Sequence, residues 1–99
     1  MIIREILWTE AVLEKIQSKH GVSLEEVEYV LAHQPHFRYV EHGRVKGEDL
    51  YQAWGRTAAG RYLVVFFLHK RGARALPISA RSMTNKEKRF YARQKKEKS

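Results

Sequence analysis

Apolar side chains recur every three or four residues in the first third of the chain and every second residue after that. This pattern predicts helices first and strands later. A first helix is predicted from about Thr9 to Lys19, with Thr9 as N-cap and Val12, Leu13, Ile16 and His20 on one face. Gly21 ends it, because glycine accepts the left-handed conformation of a helix C-terminus. Ser23 and Glu26 form an S-x-x-E capping box for a second helix, with Val22 and Val27 at the positions of a hydrophobic staple. Leu24, Val27, Val30 and Leu31 make its apolar stripe, and Pro35 stops it, since the residue before proline avoids helical geometry. The two helices are expected to pack as a hairpin.

From Phe37 the period becomes two. Strands are predicted at Phe37–Glu41, Leu50–Thr57, Arg61–His69 and Arg74–Ala80, with a loop from His42 to Asp49 and turns at Ala58-Ala59-Gly60 and Lys70-Arg71-Gly72. Tyr62 to Leu68 is apolar at both parities, which places that strand centrally, in a sheet covered on both faces. Pro77 has no N–H to give a ladder, so its strand is expected at an edge or with a bulge. The short connections predict an antiparallel meander. Thr84 and Glu87 form a second capping box for a third helix anchored by Phe90 and Tyr91; from about Arg93 the chain is wholly polar and is expected to fray. The predicted fold class is α+β in a single domain over residues 1–99: two helices, a small meander of three to four strands, and a C-terminal helix.

Composition narrows the function. The chain has no cysteine, which removes disulfides, thiol catalysis and Cys-based zinc sites. Its longest apolar run, Leu63 to Leu68, is far short of the roughly 20 residues of a membrane span. The start lacks the layout of a signal peptide, so the cytoplasm is the expected location and no membrane partner is expected. The net charge of +8 is unevenly placed: residues 1–49 carry 6 Lys/Arg and 9 Asp/Glu, whereas residues 50–99 carry 13 Lys/Arg and only Glu87 and Glu97. A field of one sign over half the chain attracts polyanions, nucleic acid first among them.

Four segments carry a family resemblance: Lys19-His20-Gly21-Val22-Ser23 with Glu25-Glu26-Val27; Gly55-Arg56-Thr57 with Gly60-Arg61; Ile78-Ser79-Ala80-Arg81; and Glu87-Lys88-Arg89 with Tyr91. In that order and spacing the chain resembles the BrnT family of bacterial ribonuclease toxins, from Trp8 to about Arg93. One departure is Thr9, where the family often has Asp; both side chains can cap a helix. The resemblance implies a RelE-like fold and RNA cleavage that slows translation. It also implies a cognate ribbon-helix-helix antitoxin, through which alone operator DNA is contacted.

Metal-independent RNA cleavage needs a deprotonated 2′-hydroxyl, stabilisation of the phosphorane charge and a protonated leaving oxygen. Arginine suits the second task, since its fork binds phosphate at two points and keeps its charge. The expected catalytic set is Arg61, Lys70, Arg74 and Arg81 on the sheet, with His20 and Tyr91 as acid–base groups and Glu87 as a further candidate for proton transfer. Arg56, Arg71, Lys88 and Arg89 are expected to bind RNA. Each has a plainer alternative: His20 as a helix-end cap, Glu87 as the capping carboxylate, Tyr91 as a core anchor, Arg56 and Arg61 as cross-strand surface residues. No metal or cofactor is expected, as the chain lacks the motifs of zinc hydrolases, P-loop enzymes and dinucleotide binders. The rival reading is a non-catalytic basic RNA- or DNA-binding module.

Overall fold

The structure, a computed structural model, describes residues 1–43 and 47–98; positions 44–46 of the predicted loop lie outside the described residues. In chain order the elements are β1 (Glu5–Ile6), α1 (Glu10–His20), α2 (Leu24–Ala32), β2 (His36–Glu41), β3 (Asp49–Arg56), β4 (Tyr62–Lys70), β5 (Arg74–Ser82) and α3 (Asn85–Lys98).

The helix boundaries follow from local chemistry. Thr9 Oγ1 accepts from the Val12 N–H at 3.3 Å, and Gly21, at φ 59°, closes α1 by donating to the Gln17 carbonyl at 3.1 Å. The Ser23–Glu26 box is complete: Glu26 N–H donates to Ser23 Oγ at 3.1 Å, and Ser23 N–H to Glu26 Oε1 at 3.0 Å. Thr84 and Glu87 repeat it at α3, at 2.8 and 3.1 Å.

The sheet order is β1-β5-β4-β3-β2. β2 to β5 form the expected antiparallel meander, with β4 central. Two features differ from expectation. A fifth strand, β1, runs parallel to β5, pairing Glu5 with Arg74 and Ile6 with Ala75, so the sheet is mixed and β5 is not its edge there. The strand carrying Pro77 bulges instead: Phe66 pairs with Ser79 and Phe67 with Pro77, leaving Ile78 extra, and its carbonyl accepts from Lys15 Nζ. The other difference concerns the helices. Rather than forming a hairpin packed on itself, α1 lies on β5 and α2 on β3 and β4.

The two faces of the sheet are distinct. Ala53, Leu63, Val65, Phe67, Ala75 and Ala80 point toward α1 and α2 and form the main core with Ile16, Val22, Val27, Val30 and Leu31. Gly55 allows the close approach of α2, because a Cβ there would lie 2.8 Å from Val30 Cγ1. On the other face a smaller cluster of Trp54, Val64, Met83 and Tyr91 seats α3.

Candidate functional site

Strand parity decides which of the predicted cations share a face. Side chains alternate, so Arg38 on β2, Gln52, Trp54 and Arg56 on β3, and Tyr62, Val64, Phe66 and Lys70 on β4 all lie on the α3 side. Through the bulge, Arg81 pairs with Val64 and Arg74 with Lys70, and both join that face. Arg61 has the opposite parity and turns toward the helices.

Arg61 is fully engaged there. Nη1 donates to Gly21 O at 2.7 Å and to Glu26 Oε1 at 3.2 Å. Nη2 donates to His20 O and to Ser82 Oγ, both at 3.0 Å, and Nε donates to Ser82 Oγ at 3.2 Å. An arginine has five N–H groups, and all five are used within the chain. The residue ties the end of α1 and the start of α2 to the end of β5. His20 is exposed at this corner and meets Arg61 through its backbone carbonyl.

Lys70 and Arg74 sit opposite each other at the far end of the sheet. Lys70 is paired with Glu48, and Arg74 Nε donates to the Arg71 carbonyl at 2.8 Å across the exposed turn. Arg81 makes a two-pronged bridge to Glu87, Nη1 to Oε1 at 2.6 Å and Nη2 to Oε2 at 2.8 Å, with its guanidinium over the Phe66 ring. The hydrogen bonds from Arg81 hold the Glu87 carboxyl down at about 2, against the cost of its burial, and the same pairing raises the Arg81 guanidinium further. Glu87 is therefore an ionised brace at neutral pH, joining β5 to the first turn of α3, and its pKa lies too low for useful proton transfer.

Two clefts flank α3. One, of about 640 Å³, lies between α3 and the β2 side of the sheet, lined by Arg38, Gln52, Trp54, Lys86, Glu87, Phe90 and Arg93 among others. The other, of about 580 Å³, faces α2 and includes His33, Arg56, Tyr62, Lys88, Tyr91 and Lys95. Among the expected site residues, Arg56, Lys88 and Tyr91 line the second cleft; Glu87, bonded to Arg81, lines the first. His20, Arg61, Lys70, Arg71, Arg74, Arg81 and Arg89 line neither, Arg81 reaching the first cleft only through Glu87. Tyr91 is buried against Trp54 and Val64, and that burial raises its phenol pKa, so it keeps its proton at neutral pH.

Four cations around α3 are held differently from Arg61, Lys70 and Arg81, which are bound to carboxylates or carbonyls of the chain. Arg38 lies 5.3 Å from the Phe90 centroid, Arg56 4.9 Å and Lys88 5.5 Å from that of Tyr62, and Lys95 5.8 Å from that of Tyr91. An aromatic face attracts a cation without neutralising it. Arg38, Lys86 and Arg93 were not singled out from the sequence. The available signal was periodicity: Lys86 and Arg93 lie seven residues apart on one side of α3, and Lys88 and Lys95 seven apart on the other. Among the described residues, no group of three His, Cys, Asp or Glu is placed to hold a metal ion, and no helix is long and apolar enough to cross a membrane.

Comparison with known proteins places this architecture. The crystal structure of the Brucella abortus ribonuclease toxin BrnT, at 1.1 Å, superposes with a TM-score of 0.59. It covers 82% of this chain and 97% of that one at 20% identity, a likeness that speaks to the fold. No curated protein matches the sequence. The family model described as "Ribonuclease toxin, BrnT, of type II toxin-antitoxin system" matches residues 8–87. That span runs from Trp8, just before the cap of α1, to Glu87, the brace of α3, and takes in both helices and the whole meander. On that match the chain belongs to the BrnT family, ribonuclease toxins of type II toxin–antitoxin systems.

Proposed function

We propose that this protein is a metal-independent endoribonuclease that cuts RNA on the α3 side of its sheet, in the cleft bordered by Arg38, Lys86, Glu87 and Arg93. The observation that carries this reading is the way its cations are held. On the helix-bearing face and at the far end of the sheet, Arg61, Lys15 and Lys70 are bound to carbonyls or carboxylates of the chain itself. Around α3, Arg38, Arg56, Lys88 and Lys95 rest on aromatic rings and keep their charge for an external anion.

The chemistry follows from that. In-line attack by a 2′-hydroxyl puts extra negative charge on the phosphorane, and preorganised cations at that position lower the barrier. Arg38, anchored on Phe90, supplies an unpaired fork. Arg81 is fixed by Glu87, which lines the cleft, and has two N–H groups not used by those bonds. Arg61 serves as the corner brace, and Tyr91, which keeps its proton, serves as an anchor. Cleavage slows translation in the cytoplasm, and a ribbon-helix-helix antitoxin encoded beside the toxin covers it and carries the contacts to operator DNA.

Incubating purified protein with RNA in excess EDTA tests this. The expected result is cleavage at an unchanged rate, with Arg38→Ala and Arg81→Lys each slowing the chemical step by roughly 10²–10³, the usual loss for one transition-state donor. Cleavage that requires added Mg²⁺, or both variants cutting at the wild-type rate, overturns the mechanism. RNA bound tightly with no products under any condition makes the protein a binding module.

A further inference from the structure

The second cleft has a composition of its own. Its lining brings together three cations, Arg56, Lys88 and Lys95, with Tyr62, Tyr91 and His33; among the described residues no carboxylate lines it. Arg56 and Lys88 both lie against Tyr62, from β3 and α3 respectively, and Lys95 lies against Tyr91. Arg56 is further oriented by donating Nε to the Gly60 carbonyl at 3.2 Å. His33 is stacked on Tyr29, with centroids 3.7 Å apart, and forms the wall on the α2 side. Like charges converge here from two elements, and each is steadied by a ring rather than cancelled by an acid. Exposed like charges gathered in this way raise the local attraction for an anion.

We propose that this cleft is a second RNA site that grips the phosphates of a single strand whose scissile bond lies in the first cleft. This rests on the ribonuclease reading above. Two features favour an RNA strand over an acidic protein segment. A groove of several cations tracks the phosphates of a single strand, and here the rings of Tyr62 and Tyr91 steady those cations. The two clefts are also the two sides of one helix, joined across its exposed surface at Lys88, Arg89 and Ala92. An α-helix with its side chains is only about 10–12 Å wide, so a strand of a few nucleotides reaches from one cleft into the other. The site would make the toxin prefer extended single strands to dinucleotides and would hold RNA in register without reading bases.

The test uses a fluorescent 2′-O-methyl oligoribonucleotide, which cannot be cleaved, and reads binding by anisotropy across a salt series. Lys95→Ala should weaken binding several-fold and reduce the slope of log K against log salt by about 0.7, and Lys88→Ala/Lys95→Ala by about twice that. Lys19→Ala, an exposed lysine on α1 that removes the same single charge, should leave the slope at the wild-type value. Equal slopes for wild type and the double variant overturn the proposal. So does a double variant that binds the oligonucleotide normally yet no longer copurifies with its antitoxin, because the cleft then belongs to a protein partner. A reduced slope in the double variant together with a wild-type protein that cuts no RNA would leave this site standing and remove the ribonuclease reading instead, so the two failures are separable.

Discussion

Glu87→Gln is the substitution that separates charge from capping at the junction of β5 and α3. Glutamine keeps an oxygen for the Thr84 N–H, and either residue completes a capping box. What it removes is the ionic part of the bridge to Arg81. The Glu87 carboxyl is held at about 2 against an ordinary 4.5. At about 1.36 kcal/mol per pKa unit, that displacement corresponds to roughly 3 kcal/mol. The Glu87 side chain is 19% exposed and that of Arg81 34%. Screening at that exposure reduces the figure to about 1–2 kcal/mol. The sign follows from linkage. A carboxylate whose pKa is lower when folded contributes its full stability above 4.5 and loses it as the pH falls through about 2. Thermal unfolding followed by circular dichroism should therefore show Glu87→Gln melting below wild type at pH 7 by about 4–16 °C, at 4–8 °C per kcal/mol for a domain of this size. That gap should narrow below pH 4.5 and close near pH 2, and because every other carboxylate titrates alike in both proteins, the gap isolates Glu87. A gap that stays constant with pH would mean that the loss comes from packing or capping. No gap at pH 7 would mean the bridge adds nothing net.

Two further predictions concern the α1–α2 corner. Ser23→Ala should cost about 0.5–2 kcal/mol by leaving the Glu26 N–H without its acceptor, seen as a lower urea midpoint at unchanged m-value. Arg61→Lys should cost about 2–3 kcal/mol on the same assay, since an ammonium cannot reach His20 O, Gly21 O, Glu26 and Ser82 together. Both changes act on Glu26, so the double variant should lose less than the two single losses added together; strict additivity would show that the cap and the clamp are independent.

Local signals were legible in the sequence. Ser23 with Glu26, Thr84 with Glu87, and Gly21 each act within a few residues, and each sits where the sequence places it. The run from Leu63 to Leu68 announced a central strand because both its faces had to be covered, one by α1 and α2 and the other by α3. β1 gave no such signal. It pairs through only Glu5 and Ile6 with a strand almost seventy residues away, and no periodicity can develop over two residues. Pro77 offered two solutions, an edge or a bulge, and the choice depended on a partner strand that the sequence did not reveal.

The site was harder to read for a related reason. Counting showed that the second half of the chain is strongly basic, but what matters for an anionic ligand is which charges remain uncancelled, and that is a tertiary property. Arg61 and Arg81 look equivalent in sequence, each near a turn or helix start. Arg61 finds Glu26 and the carbonyls of His20 and Gly21 at separations of 35 to 41 residues, while Arg81 finds Glu87 only six residues on. Arg38 is the single Lys or Arg in a short strand that is half apolar, and it joins the site because register sets it beside Gln52, with Phe90 beneath it. The readable clue lay in the aromatics. Tyr62, Phe66, Phe90 and Tyr91 are interleaved with the basic residues of the second half, and at α3 each ring both seats the helix and supports a cation. Packing and charge presentation are thus one arrangement. The side chains that dock α3 on the sheet also hold Lys88 and Lys95 of the helix and Arg38 and Arg56 of the sheet without neutralising them, so the stability of this face and its attraction for RNA rest on the same rings.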